Sequence, residues 1–350
     1  MQIAEFLRPV SIDESFSRNT VGGKICAWDR KQVPDNSLWI VGLSDLHGNT
    51  FDADLVREKL YHMIAPIGTT NIVDLGDIIS LSAKDQRNVL DELFKLAETR
   101  NSIVVFISCN NVGKLPFALQ EVSGKNSLAL IDRAFDYSFN SVDKFGFLDL
   151  KKFNEFYLVG NQSYYTENFE EHTNFFEYRL GRLRDDMTEI EPVFRAVNKV
   201  IFNLRAVRYS DFPAASEPTP NGMYAEEICR LAWYAGNSDT VNGVLLTGFA
   251  FHDNRQSLGA ILTAELLYHF IEGVSTRKNE DPAKNRSNFK EYYVESNKLP
   301  DDLVFYKSKL SGKYWMKYGD KGKIIPCTKA DMDMVLNNHV PDRLWRNMNN

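Results

Sequence analysis

The chain has 350 residues, of which 43% are hydrophobic and 25% charged, the balance of a folded globular protein. Acids exceed bases by 47 to 41, and the net charge of −6 opposes nucleic-acid binding in the absence of a local basic patch, which the sequence does not contain. No stretch approaches the roughly 18 apolar residues of a membrane span.

The N-terminal segment, residues 1–37, carries an acid at Glu5 and no long apolar run, so it does not read as a signal peptide. Short Val/Ile/Leu/Phe runs then predict strands at 38–43, 71–75, 102–108, 127–131, 199–204 and 243–247. Runs that continuous are the mark of strands covered on both faces. Between them the spacing predicts helices at 52–63, 83–99, 116–122, 166–183, 223–235 and 258–271. Strand and helix in alternation imply crossover connections, hence a mostly parallel sheet with helices on both faces. Chemistry in such a sheet belongs just beyond the carboxyl ends of its strands.

Residues 210–222 are rich in Pro and Ser and predict an ordered loop at a strand end, whereas 275–287 read as solvated. Further on, 292–294, 303–307 and 313–317 predict a β-meander, followed by a helix around 329–337. The division expected is an N-terminal segment at 1–37, an α/β/α domain at 38–284 and a β-rich extension at 285–350 packed on it.

Cys26, Cys109, Cys229 and Cys327 are scattered, with neither Cys-x-x-Cys nor zinc spacing, which suggests a reduced, cytoplasmic protein. Cys109 follows a strand but has no His beside it in the motif, so it reads as a small buried thiol rather than a nucleophile. His252 and His269 read as structural, because no acid–His pattern surrounds them. Most paired aromatics read as core. Tyr306, Trp315, Tyr318 and Trp345 are the expected exception, a possible surface for a protein partner or self-association. Lys307, Lys309, Lys313 and Lys317 read as a solvated strand face.

Two families share features with the strand-end residues. Asp45-Leu46-His47, Gly76-Asp77 and Cys109-Asn110-Asn111 follow successive strands. They resemble the Asp-x-His, Gly-Asp and Gly-Asn-His elements with which calcineurin-like metallophosphoesterases hold two metals. Here Asn111 stands where that pattern has His, and Ile78-Ile79-Ser80 lacks its further Asp.

The wider match lies elsewhere. Leu204-Arg205-Ala206-Val207-Arg208-Tyr209-Ser210-Asp211, Pro220-Asn221-Gly222-Met223-Tyr224-Ala225-Glu226-Glu227-Ile228-Cys229, Tyr234-Ala235-Gly236-Asn237-Ser238-Asp239 and Phe270-Ile271-Glu272-Gly273 resemble a formimidoylglutamase-like branch of the arginase (ureohydrolase) family. Leu303-Val304-Phe305-Tyr306, Tyr314-Trp315-Met316 and Val340-Pro341-Asp342-Arg343-Leu344-Trp345 resemble the C-terminal extension of that branch. Upstream, Arg57-Glu58-Lys59-Leu60-Tyr61 and Asp74-Leu75-Gly76-Asp77-Ile78 are collinear with it, so the resemblance covers roughly residues 38–346 and absorbs Gly76-Asp77. It implies a three-layer α/β/α ureohydrolase-like fold with a mostly parallel central sheet and a C-terminal β-rich extension.

Active ureohydrolases hydrolyse a guanidino or amidine carbon with hydroxide bridging two Mn²⁺ ions. The resemblance places their metal ligands, residue by residue, on positions that have changed. The His of Gly-Gly-x-His falls on Asn111. Asp-x-His-x-Asp falls on Asp132, Ala134 and Asp136, which keeps both acids and loses the His. The two acids of Ser-x-Asp-x-Asp fall on Asn203 and Arg205, and the later Glu that holds the substrate amidine falls on Gly248.

Four negative charges in the active pattern become −1 here, from Asp132, Asp136 and the opposing Arg205. Hard cations seek carboxylate and imidazole donors, so the set does not suit two Mn²⁺ ions. A metal-free pocket is therefore expected, in which Arg205 pairs with Asp132 and Asp136 and Arg133 assists. The function expected is that of a catalytically inactive ureohydrolase-like protein, with no catalytic residue and no cofactor, acting through protein or small-ligand binding. Two alternatives stay open: a formimidoylglutamase-type hydrolase that needs Mn²⁺ and splits N-formimidoyl-L-glutamate to glutamate and formamide, and the metallophosphoesterase.

Overall fold

The structure, a computed structural model, describes residues 5–11, 15–28, 33–44, 51–68, 71–78, 83–109, 117–118, 120–121, 124–135, 150–166, 174–250, 256–295, 298, 303–319 and 322–348. Its main sheet contains β1 (Leu7–Arg8), β2 (Ile25–Ala27), β3 (Ser37–Leu43), β4 (Asn71–Ile78), β5 (Ile103–Ser108), β6 (Ser127–Ile131), β7 (Glu155–Asn161), β8 (Phe175–Arg179), β9 (Lys199–Asn203) and β10 (Gly243–Thr247). Their order is β1-β4-β3-β5-β10-β9-β6-β7-β8, with β2 also on β4, and every pairing is parallel except that of β1 with β4.

Burial explains why this sheet is parallel and central. Every residue of β3, β5, β6, β9 and β10 is buried. Successive side chains alternate between two cores. Leu38, Ile40, Val105, Ile107, Val200 and Phe202 join one, and Trp39, Val41, Val104, Phe106, Leu130 and Ile201 join the other. The first core is covered by α1 (Phe51–His62), α3 (Leu180–Asp185), α4 (Glu191–Ala196), α5 (Ala225–Gly236) and α6 (Gln256–Ser275). The second packs under α2 (Ala83–Thr99), through Val89, Leu90, Leu93 and Phe94. This is the expected three-layer α/β/α arrangement.

All six expected strands are present. The helix expected at 166–183 is not, because Phe175–Arg179 forms edge strand β8 and α3 begins only at Leu180. The segment has a period of two, with Phe176 and Tyr178 buried between half-buried Phe175 and Glu177. Of the helix expected at 116–122, Phe117 and Ala118 are helical, and most of the rest lies outside the described residues.

The C-terminal sheet is antiparallel, in the order β11 (Phe289–Val294), β12 (Leu303–Ser308), β13 (Tyr314–Tyr318) and β14 (Ile324–Cys327), followed by α7 (Lys329–Leu336) and α8 (Asp342–Met348). One face forms its own core from Leu303, Phe305, Met316, Ile325, Val335 and Leu344. Arg195 of α4 joins the sheet to the main domain. Its guanidinium stands 4.4 Å from the Trp315 ring centroid and donates to the carbonyls of Tyr314 and Cys327, both at 3.0 Å.

Two expectations about this region change. Tyr306 and Trp315 are buried beside Phe289 rather than presented to a partner, whereas Trp345 is 60% exposed. Lys313 is not solvated: it is largely buried, donates to the Asn237 carbonyl at 3.0 Å and lies 3.7 Å from Glu191.

At the amino end of β9, Lys199 is fully buried. Its ammonium donates to Ala118 O at 2.7 Å, Asn126 Oδ1 at 2.6 Å, Phe117 O at 3.3 Å and the Gln120 carbonyl. Burial holds it well below the ordinary lysine value, against a smaller upward pull from Glu121. Lys199→Met should cost about 3 kcal/mol in a denaturant melt, because buried carbonyls lose their donor. The unfolded chain binds the proton more tightly, so the native state gains stability as pH rises toward about 10.4. The gap between wild type and variant should therefore widen in alkali. A flat gap would mean that the four oxygens outweigh burial.

Candidate functional site

The carboxyl ends of β6, β9 and β10 lie side by side, with Ile131 opposite Phe202 and Thr247 opposite Asn203. Asp132 leaves β6 at this edge and is fully buried. Asn203 ends β9, and its side-chain oxygen accepts from the Arg205 backbone N–H at 3.3 Å, starting the one-turn 3₁₀ helix Leu204–Ala206. That turn brings Arg205 back over the strand ends.

The guanidinium grips Asp132 with two parallel bonds, Nε to Oδ1 at 2.8 Å and Nη2 to Oδ2 at 3.1 Å. Asn203 Nδ2 donates to Oδ2 at 2.7 Å, and the Ala134 N–H reaches Oδ1 at 3.4 Å. A carboxylate offers about four lone-pair sites, and these bonds engage all of them. Burial pulls the Arg205 guanidinium down, but Asp132 beside it, and then Glu217, hold it above the ordinary arginine value. It is a permanent cation. The expected Arg205–Asp132 ion pair is thus present; Asp136 and Asn111 lie outside the described residues.

Glu217, which the sequence reading did not single out, completes the cluster. Its Oε2 accepts from Arg205 Nη1 at 3.0 Å and from Arg133 Nη2 at 3.1 Å. The loop that carries it is ordered, as expected, and is held by Ser216 N to Gly248 O at 2.9 Å and Tyr209 N to Thr219 O at 2.6 Å. Gly248 has φ +83°, and a Cβ built there would stand 1.8 Å from Asn203 Oδ1. A longer side chain at 248 would have to displace Asn203 from its place beside Asp132. The hydroxyls of Thr247 and Ser216, both near Gly248, are buried and have no hydrogen-bond partner among the described residues.

A second buried charge cluster surrounds β4. Arg57 of α1 donates to Asp74 through Nε at 2.8 Å and Nη2 at 3.2 Å, and to Asp77 Oδ1 through Nη1 at 2.6 Å. Arg8 donates to Asp77 Oδ2 at 3.0 Å, and the Tyr61 hydroxyl donates to Asp74. Gly76, at φ +87°, lets the strand pass the Arg8 carbonyl, which a Cβ would approach to 2.0 Å. Asp77, the acid that the phosphoesterase alternative needs as a ligand, is committed to two arginines. Asp45, His47 and Asn110 of that pattern lie outside the described residues.

Among the described residues no group of three His, Cys, Asp or Glu could hold a metal ion. His269 lies on the surface, 3.6 Å from Glu272, and His252 is outside the described residues. Cys109 is buried, as expected, and burial together with Glu265 pushes the Cys229 thiol up to about 12. No helix among the described residues is long and apolar enough to cross a membrane.

The mostly parallel sheet between two helical layers is the fold of solved formimidoylglutamases and of an agmatine ureohydrolase, with an additional antiparallel sheet at the C-terminus. Solved structures with this fold include formimidoylglutamase from Bacillus subtilis, at TM-score 0.62 and 15% identity over 78% of this chain and 98% of that one. Formiminoglutamase from Trypanosoma cruzi, oxidised and with Mn²⁺ at pH 6.0, matches at TM-score 0.60 and 17% identity over 71% of this chain and 96% of that one. The agmatine ureohydrolase of Thermoplasma volcanium matches at 0.57 and 15% identity, over 68% and 90%. The likeness is one of fold. No protein-family profile and no curated protein matches the sequence.

Proposed function

We propose that this chain is a ureohydrolase-fold protein without hydrolase chemistry, in which a buried ion pair replaces the dinuclear metal centre and the protein works by binding. On this reading Asn111, Asp132, Ala134, Asp136, Asn203 and Arg205 are vestigial metal-site positions and Gly248 is a vestigial substrate position. The observation that carries it is the Arg205–Asp132 pair. The carboxylate that would ligate a metal has its acceptor sites engaged by Arg205, Asn203 and Ala134. A guanidinium about 4 Å from a dication at an effective dielectric of 20 costs about 8 kcal/mol. The described donors therefore do not fit two Mn²⁺ ions. The bound partner is a small ligand at these strand ends or a protein at the C-terminal extension, where Trp345 of α8 stays exposed.

Metal analysis of the purified protein, followed by calorimetric titration with Mn²⁺, tests the reading. The expected result is no co-purified manganese and no saturable uptake. Two equivalents bound would overturn it in favour of the amidine hydrolase.

A further inference from the structure

We propose that Arg133 and Arg205 form a carboxylate-binding pincer that Glu217 fills in the free protein and that a small aliphatic carboxylate ligand fills in its place. The inference rests on the binding role proposed above and names the ligand class of that same pocket. Both guanidiniums converge on a single oxygen, Glu217 Oε2, at 3.0 and 3.1 Å. The arginines are well buried, with side chains 10% and 12% exposed, whereas the Glu217 side chain is 46% exposed.

That asymmetry separates a permanent socket from a replaceable occupant. Asp132 and Asn203 fix Arg205 from behind, so the pincer keeps its shape without Glu217. The Ser216 and Thr219 backbone bonds anchor the loop on either side of Glu217, so release requires side-chain rotation and no loop opening. A half-exposed carboxylate holds its partners weakly and is open to competition.

Charge selects the ligand. With Glu217 turned away, the charged groups of this cluster among the described residues, Arg133, Arg205 and Asp132, leave one net positive charge, from two cations and one anion. A monoanionic carboxylate restores neutrality and reproduces the geometry of the Glu217 contact, whereas phosphate brings excess charge and a tetrahedral shape. Thr247 Oγ1 and Ser216 Oγ, buried at the same strand end without partners among the described residues, leave further polar groups for the ligand.

The test is calorimetric titration of full-length wild type, Glu217→Ala and the double variant Glu217→Ala/Arg133→Met with acetate, propionate and inorganic phosphate, with circular dichroism to check folding. Acetate or propionate should bind Glu217→Ala at least about tenfold tighter than wild type, and the double variant should lose that binding. Equal affinity for wild type and Glu217→Ala, binding retained without Arg133, a preference for phosphate, or no carboxylate binding by a folded Glu217→Ala would each overturn the pincer. Mn²⁺ titration of the same wild-type sample keeps the two ideas apart. Two metal equivalents bound would sink the binding-protein reading, while no metal and no carboxylate would sink the pincer alone.

Discussion

Replacing Arg57 by Met is expected to remove about 3–5 kcal/mol of stability and lower the melting temperature by roughly 5–10 °C. The guanidinium is 2% exposed and is shared between Asp74 and Asp77, whose side chains are 0% and 1% exposed. Without it, two carboxylates stay in the core. Arg8 reaches Asp77 from a half-exposed position, and Tyr61 offers Asp74 one hydroxyl, so neither replaces the buried guanidinium. Arg57→Lys should recover part of the loss, since one ammonium cannot reproduce three directed bonds to two acids. Differential scanning calorimetry decides. A melting point for Arg57→Met within about 1 °C of wild type would show that water relieves the acids, contrary to their burial.

What the sequence made legible follows from how directly each feature depends on local pattern. Strands β3, β5, β6, β9 and β10 are buried on both faces, which requires unbroken apolar runs, and such runs are visible without any structure. Edge strand β8 buries only one side fully, with Phe176 and Tyr178 in the first core and Phe175 partly covered against the second. Its Phe175-Phe176-Glu177-Tyr178-Arg179 mixes charge with aromatics, and the flanking residues carried it into a false helical pattern. The Arg205–Asp132 pair was legible because a buried carboxylate demands a counter-ion, and Arg205 fell on a strand end aligned with a ligand position. Glu217 was not, for it lies in a loop 12 residues from Arg205, where no periodicity links sequence to contact. The loop's two acids, Asp211 and Glu217, were the available signal. The aromatics of the C-terminal sheet misled for a different reason. Residue type reports the tendency to bury area, not what covers it, and Arg195 together with Phe289 already covers Trp315.

The Arg205–Asp132 pair makes the second large prediction and bears most directly on the metal-site interpretation. Arg205→Met should cost about 3–5 kcal/mol, because Asp132 would remain fully buried and lose its bidentate cation, while Asn203 and Ala134 supply neutral donors. Asp132→Asn should cost less, since Arg205 keeps Glu217 as a partner. The double variant removes both charges, and its loss should fall short of the sum of the single losses by about 2–3 kcal/mol, the coupling of two groups in direct contact. Urea melts of the four proteins give that coupling. A value near zero would mean that the bidentate contact contributes nothing beyond its separate halves, and the cation would then have no claim to have replaced a metal. A value in the expected range assigns Arg205 the electrostatic work at these strand ends, since Asp132 would then depend on a fixed protein charge for its place in the core.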